Sequence, residues 1–155
     1  MINLFPNLIL SFVAITSYAQ PSIHWQRSYG GSKPEDATCI QLTNDGGTVV
    51  IGKTLSINGD VFGNHGGTDF WVIKLDSNGS KQWQKPLGGS NHDWGYYIQQ
   101  TNDGGFVVAG HTESNNGDVS GNHGDKDAWV AKLNSSGIIQ WQKALGGSNW
   151  EEAWC

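Results

Sequence analysis

The residues best suited to chemistry in this chain are hard oxygen donors on a glycine-rich loop that occurs twice. Residues 58–69 read Asn-Gly-Asp-Val-Phe-Gly-Asn-His-Gly-Gly-Thr-Asp, and residues 116–127 repeat most of them. Asp60, Asn64 and Asp69, with Asp118, Asn122 and Asp127, are the ligand types that a calcium ion takes, and the glycines let a loop wrap around one. The spacing differs from the D-x-[DN]-x-[DN]-G loop with its terminal Glu. A second reading therefore stands beside the first: Asp and Asn bond to nearby backbone while glycine supplies positive φ. His65 and His123 fall at one phase of the loop, but one His without neighbouring Cys is not a zinc constellation, and a structural hydrogen bond explains it as well.

Nucleophilic chemistry is less well served. Ser32, Ser90 and Ser148 each follow Gly-Gly, with neither a G-x-S-x-G elbow nor a strand-to-helix context. The adjacent acids Glu35 and Asp36, or Glu151 and Glu152, point to opposite faces if extended, so they do not form a carboxylate pair across a cleft. His24, His92 and His111 do not recur in register and carry no site argument.

The tryptophans divide into two groups. Trp25, Trp71, Trp83, Trp129 and Trp141 recur in strand-like segments, where packing between layers is the expected role, although an aromatic face can also stack on a sugar. Trp94, Trp150 and Trp154 follow the Gly-Gly-Ser turns less regularly and are the candidates for an exposed ligand-binding surface.

What positions these groups is a tandem repeat. WQRSYGGS at Trp25, WQKPLGGS at Trp83 and WQKALGGS at Trp141 stand at one fixed spacing of 58 residues. The repeats run over 23–80 and 81–138, with a partial copy over 139–155. Each period predicts four strands: one holding the WQ motif, one over 37–43 or 95–101, one over 48–54 or 106–112, and one over 70–75 or 128–133. The Val-Val pairs suit a buried strand. Asn-Asp-Gly-Gly at 44–47 and 102–105 predicts a tight hairpin whose central residues take positive φ. Trp71, Ile73 and Leu75 alternate with Phe70 and Val72, so both faces of the fourth strand are apolar and sheets should stack on each side.

Composition agrees with this. Twenty-two glycines and a charged fraction of 15% in 155 residues fit short strands and turns, and the class is all-β. The expected architecture is a β-propeller-like series of four-stranded blades, an open arc because two complete repeats cannot close a ring. A net charge of −5 with no Lys/Arg cluster leaves no footprint for nucleic acid.

Residues 1–19 lack acidic and basic side chains, carry an apolar run from Leu8 to Ile15, and end in Ser-Tyr-Ala before Gln20, which reads as a secretory signal. The apolar run is too short for a bilayer span, and no second one follows, so no membrane span is expected after cleavage. Cys39 and Cys155 occupy one phase two periods apart, where equivalent positions are not expected to meet, and both read as unpaired strand residues.

WQK-x-LGGS, Ile-Gln-x-Thr-x-Asp-Gly-Gly, and Gly-Asp-Val-x-Gly-Asn-His-Gly-x-x-Asp-x-Trp-Val with Lys-Leu follow one another in fixed order over 81–138. Together they resemble the propeller-like repeats of large secreted and surface proteins of Bacteroidota. The resemblance covers everything after the signal. It implies export to the envelope or beyond, no enzymatic activity and no cofactor, and relatives that commonly end in a type IX sorting domain. The chain stops inside a repeat, so the expectation is a fragment of a larger protein with further blades. The expected function is a secreted, non-enzymatic recognition scaffold with protein or glycan ligands. Two alternatives remain open: a calcium-dependent carbohydrate-binding module, and part of a polysaccharide-active enzyme whose catalytic blades lie elsewhere.

Overall fold

The computed structural model describes residues 22–154; residues 1–21, where a signal segment is expected, and Cys155 lie outside the described residues. Eight strands and no helix occur among them: β1 (Glu35–Leu42), β2 (Thr48–Thr54), β3 (Asp69–Leu75), β4 (Lys81–Leu87), β5 (Asp93–Gln100), β6 (Phe106–Thr112), β7 (Asp127–Leu133) and β8 (Ile139–Leu145). They form two antiparallel four-stranded sheets, β1-β2-β3-β4 and β5-β6-β7-β8. Each hydrogen-bond ladder stays within its own sheet. The described residues include no helix long and apolar enough to cross a membrane.

The all-β expectation holds, with one change of phase. The WQ strand closes a sheet rather than opening one: β4 carries Trp83, β8 carries Trp141, and residues 22–31 around Trp25 are in no ladder. The reason is partnership, because a WQ segment becomes a strand only beside a preceding third strand. Trp25 has none.

The Asn-Asp-Gly-Gly hairpins also differ from expectation. No non-glycine residue among those described has positive φ, and in the first turn only Gly46 takes it, at 76°. Thr43 N–H donates to the Gly47 carbonyl at 3.0 Å and Gly46 N–H to the Thr43 carbonyl at 2.9 Å. That is a longer loop ending in a left-handed glycine, a geometry that leaves Asn44 and Asp45 on the ordinary side of the map. Lys74 staples this turn to β3. Its buried Nζ donates to the Leu75 carbonyl at 2.9 Å and pairs with Asp45 Oδ2 at 2.9 Å. Lys132 does the same with Leu133 and Asp103. The Thr43 hydroxyl, then Lys74 and the Gly47 N–H, hold the Asp45 carboxyl well below the usual carboxylate range.

All seven residues of β3 are buried, as two apolar faces require. Phe70 and Val72 share a core with Val49, Ile51, Leu87, Ile98, Phe106, Val108 and Trp129, which joins the two sheets. Phe70 meets Trp129 edge to face at 4.8 Å, and Trp83 meets Phe106 at 5.8 Å. These arrangements are the favoured ones for ring quadrupoles. The opposite face of β3 packs Trp71, Ile73 and Leu75 with Val61 against Trp25 and Tyr29. The indoles of Trp71 and Trp129 donate to Gln84 Oε1 and Gln142 Oε1, each at 2.7 Å, so both large rings are buried without an orphaned N–H.

Whether Cys39 and Cys155 stay apart lies outside the described residues, which end at Trp154. Thr38, Cys39, Tyr96, Tyr97 and Trp154 line one concavity of about 440 Å³. Thr38 and Trp154 are two periods apart and border the same concavity, where the first strands β1 and β5 adjoin. Cys39 is half-buried there.

Candidate functional site

The loop over residues 56–68 leaves β2 and returns to β3, and its side chains are spoken for by its own backbone and its neighbours. Asn64 donates through Nδ2 to the Thr54 carbonyl at 3.2 Å and accepts the Gly66 N–H at 2.9 Å. Asn122 repeats both bonds with Thr112 and Gly124. Asp69 accepts the His65 N–H at 2.9 Å, and Asp127 the His123 N–H at 3.1 Å. The Nδ1 atoms of His65 and His123 lie 2.7 Å from those same carboxylates. These are the side-chain-to-backbone bonds of the turn reading.

Asp60 and Asp118 hold equivalent backbone bonds and different side-chain partners. Their N–H groups donate to the Gly30 and Gly88 carbonyls at 2.8 and 2.9 Å. Asp60 Oδ1 accepts Lys81 Nζ at 2.6 Å, and the lysine lowers its pKa. Ile139 stands where a second lysine would be, and Asp118 Oδ2 instead lies 3.7 Å from His65 Nε2. Among the described residues no three His, Cys, Asp or Glu side chains come together to hold a metal ion. The six candidate ligands thus sit at separate points of the loops. Oδ1 of Asp69, Oδ1 of Asp127 and Oδ2 of Asp118 are nonetheless buried without a hydrogen-bond partner. Burial pushes the Asp69 carboxyl up to about 6, against the pull of His65 and with Asp93 adding to the rise.

The three less regular tryptophans do come together, around Tyr96 and His111 of the second sheet and beside β1 and β2 of the first. Trp154 stacks on Tyr96 at 4.2 Å with the rings 5° apart. Lys126 Nζ lies 4.5 Å from the Trp150 ring centre and 5.8 Å from that of Trp94, and Lys53 Nζ lies 3.9 Å over Trp94. Trp150 and Trp154 are exposed, and Trp94 is half-buried. Cations over aromatic faces hold the rings in place and leave apolar surface facing solvent.

Beneath them lies a group that the repeat-based reading passed over. His111 is buried, with Tyr96 Oη 3.0 Å and Glu152 Oε1 3.4 Å from its Nδ1. Burial first, with the Lys126 charge, pulls His111 down to about 4 despite Glu113, so the ring is neutral near pH 7 and Glu152 is its polar neighbour, not an ion-pair partner. Burial, with the Glu152 charge, pushes Tyr96 up to about 12. A phenol that holds its proton and a histidine that refuses one are poor acid-base partners. The signal available in the sequence was departure from the repeat. Asp36, Thr38 and Lys53 in the first copy become Trp94, Tyr96 and His111 in the second, and all three replacements fall in this cluster.

The serines after Gly-Gly serve turns: Ser32 and Ser90 accept the Nδ2 of Asn58 and Asn116, each at 3.0 Å. Glu35 and Glu151 accept the N–H groups of Gly31 and Gly147, each at 3.0 Å. Comparison with known proteins adds no assignment, since no protein-family model matches the chain and no curated protein does.

Proposed function

We propose that this chain is a secreted, non-enzymatic repeat scaffold for extracellular or cell-surface recognition, built from propeller-like blades in an open arc. It would be part of a larger protein of the kind found in Bacteroidota surface repeats. The observation that carries this reading is the aromatic surface of Trp94, Trp150 and Trp154, held by Lys53, Lys126 and Tyr96 on a rigid sheet. Flat aromatic faces beside polar groups suit the apolar faces of a glycan or an exposed protein segment. The motifs that recur in each repeat are occupied with turns and packing, and the neutral His111 beside a protonated Tyr96 offers no general base. Tryptophan fluorescence titrated with a panel of polysaccharides and surface glycoproteins tests this. A saturable change with at least one ligand, lost in Trp150→Ala and Trp154→Ala, is expected, and a flat response across the panel would count against it.

A second reading, a calcium-dependent carbohydrate-binding module, draws on the unpartnered buried oxygens of Asp69, Asp118 and Asp127. It requires a rise in melting temperature on adding millimolar calcium. An unchanged melting temperature removes it.

A further inference from the structure

A β-bulge inserts an extra residue into a strand and re-aims the side chains beside it, and the first strand of each sheet carries one at the same phase of the repeat. In β1 the register shifts between Ala37 and Cys39, and in β5 between Gly95 and Tyr97. Thr38 and Tyr96 are the extra residues. Each bulge turns two consecutive side chains, Thr38 with Cys39 and Tyr96 with Tyr97, onto the concavity of about 440 Å³ that Trp154 also borders. That volume lies within the range of small-ligand sites.

The chemistry around it is aromatic and polar without free charge. None of the five lining residues is an Asp, Glu, Lys, Arg or His. The two lysines at the adjoining tryptophans are already paired, Lys53 with Asp36 at 3.1 Å and Lys126 with Glu113 at 3.3 Å. Behind Tyr96 the neutral His111 has Glu152 at 3.4 Å. An anionic polymer would therefore meet paired lysines and carboxylates, with no complementary charge to offset its desolvation. What the surface offers instead is ring faces and hydrogen-bonding groups. Trp154 lies flat on Tyr96 and is 60% exposed. The Tyr96 hydroxyl is tied to His111 Nδ1 at 3.0 Å, whereas the Tyr97 hydroxyl reaches only Gln99 Oε1, at 3.4 Å. Tyr97 and the exposed Gln99 are thus free to bond a ligand.

The same bulges argue against an extended peptide. Such a ligand gains affinity by adding a strand to a straight sheet edge. β1 and β5 are edge strands of their sheets, but the bulge interrupts each edge, and Thr38 Oγ1 already donates to the Gly95 carbonyl at 2.7 Å. We propose that the concavity takes an uncharged glycan, a sugar ring lying with its C–H face on the aromatic rings while its hydroxyls bond Tyr97 and Gln99. A ring with equatorial hydroxyls has an apolar face and a polar rim, which is the complement of this surface. The inference rests on the recognition reading and narrows its ligand to one class.

Isothermal titration calorimetry on the full chain tests it with four probes: cellohexaose and laminarihexaose as uncharged glycans, hexagalacturonate as an anionic one, and an uncharged peptide. At least one of the uncharged glycans is expected to bind, with an affinity that added salt leaves unchanged, and hexagalacturonate and the peptide are not. Tyr97→Ala should weaken that binding at least ~10-fold, as loss of a central aromatic contact does. Phe62→Ala, an exposed ring on the loop before β3, should leave it unchanged. Should Tyr97→Ala lose the wild-type melting transition, Tyr97→Leu, which keeps the apolar bulk, takes its place. Preference for hexagalacturonate or the peptide, silence from both uncharged glycans, or glycan binding that survives the Tyr97 variant would each overturn the inference. If tryptophan fluorescence still responds to another ligand in that case, the recognition reading stands without it; a flat response to every ligand removes both.

Discussion

His65 and His123 are the same residue in the same loop, 58 positions apart, and they live in different surroundings. Each bonds Asp69 or Asp127 within its own loop. His65 lies beside the second repeat and also meets Asp118 across it, whereas His123 is 55% exposed and has only its own aspartate. Asp60 and Asp118 part in the same way, one with Lys81 and the other beside His65. What a loop residue does therefore depends on the neighbouring repeat as much as on its own sequence. Identity of sequence fixes the bonds within a loop, and position in the stack decides the rest.

That comparison can be broken at several strengths. The largest effect is expected where the stack is most closed. Trp129→Ala should cost ~3–5 kcal/mol in urea unfolding, as truncating a fully buried aromatic does. Trp71→Ala should cost less, because Trp71 packs against Trp25 and Tyr29 of the terminal segment rather than against a second sheet. Equal losses would mean that the two sheets are independent.

The next contrast is in pH. Asp69 is raised to about 6, so its folded form keeps a proton that the unfolded chain has lost, and its contribution to stability falls as pH rises from about 4 to about 6. His111 is depressed to about 4, so the unfolded chain takes up a proton first, and its contribution rises with pH between about 4 and about 6.5. The two slopes oppose each other, each at most ~1.4 kcal/mol per pH unit. Asp69→Asn should therefore reveal a stability that climbs with pH, and His111→Gln one that declines, when melts are run between pH 4 and 7. Parallel profiles for the two variants would refute the assignment.

Smaller effects sharpen the local side. Gly46→Ala and Gly104→Ala should each cost ~1–2 kcal/mol from positive φ alone, and equally, because nothing lies within 4 Å of either position. Lys81→Ile makes the first loop resemble the second, and should cost no more than ~1 kcal/mol, since the pair with Asp60 is partly exposed. Double-mutant cycles of Lys81 with Asp60 would isolate that coupling.

The strands, their lengths and the two-faced burial of β3 could be read from the sequence because alternation and period are local properties of the chain. Phe70, Trp71, Val72 and Ile73 state their faces by order alone. The phase of the sheet could not be read in the same way. Trp25 and Trp83 sit in nearly identical motifs, and only the presence of β3 before Trp83 makes one of them a strand. The cluster around His111 was hidden for a related reason: its members lie far apart in the chain and are visible only as exceptions to the repeat. The turn roles of Asn64 and Asp69 were one of two readings that their spacing allowed, and the choice depended on which backbone groups lay within reach.

Because each ladder is complete within one sheet, the two sheets are threaded in series by the short connection from Leu87 to Asp93. A chain pulled from its two ends would therefore carry the load through side-chain packing between sheets before any ladder shears. It would then lengthen in discrete steps, each releasing one 58-residue period of roughly 200 Å of contour.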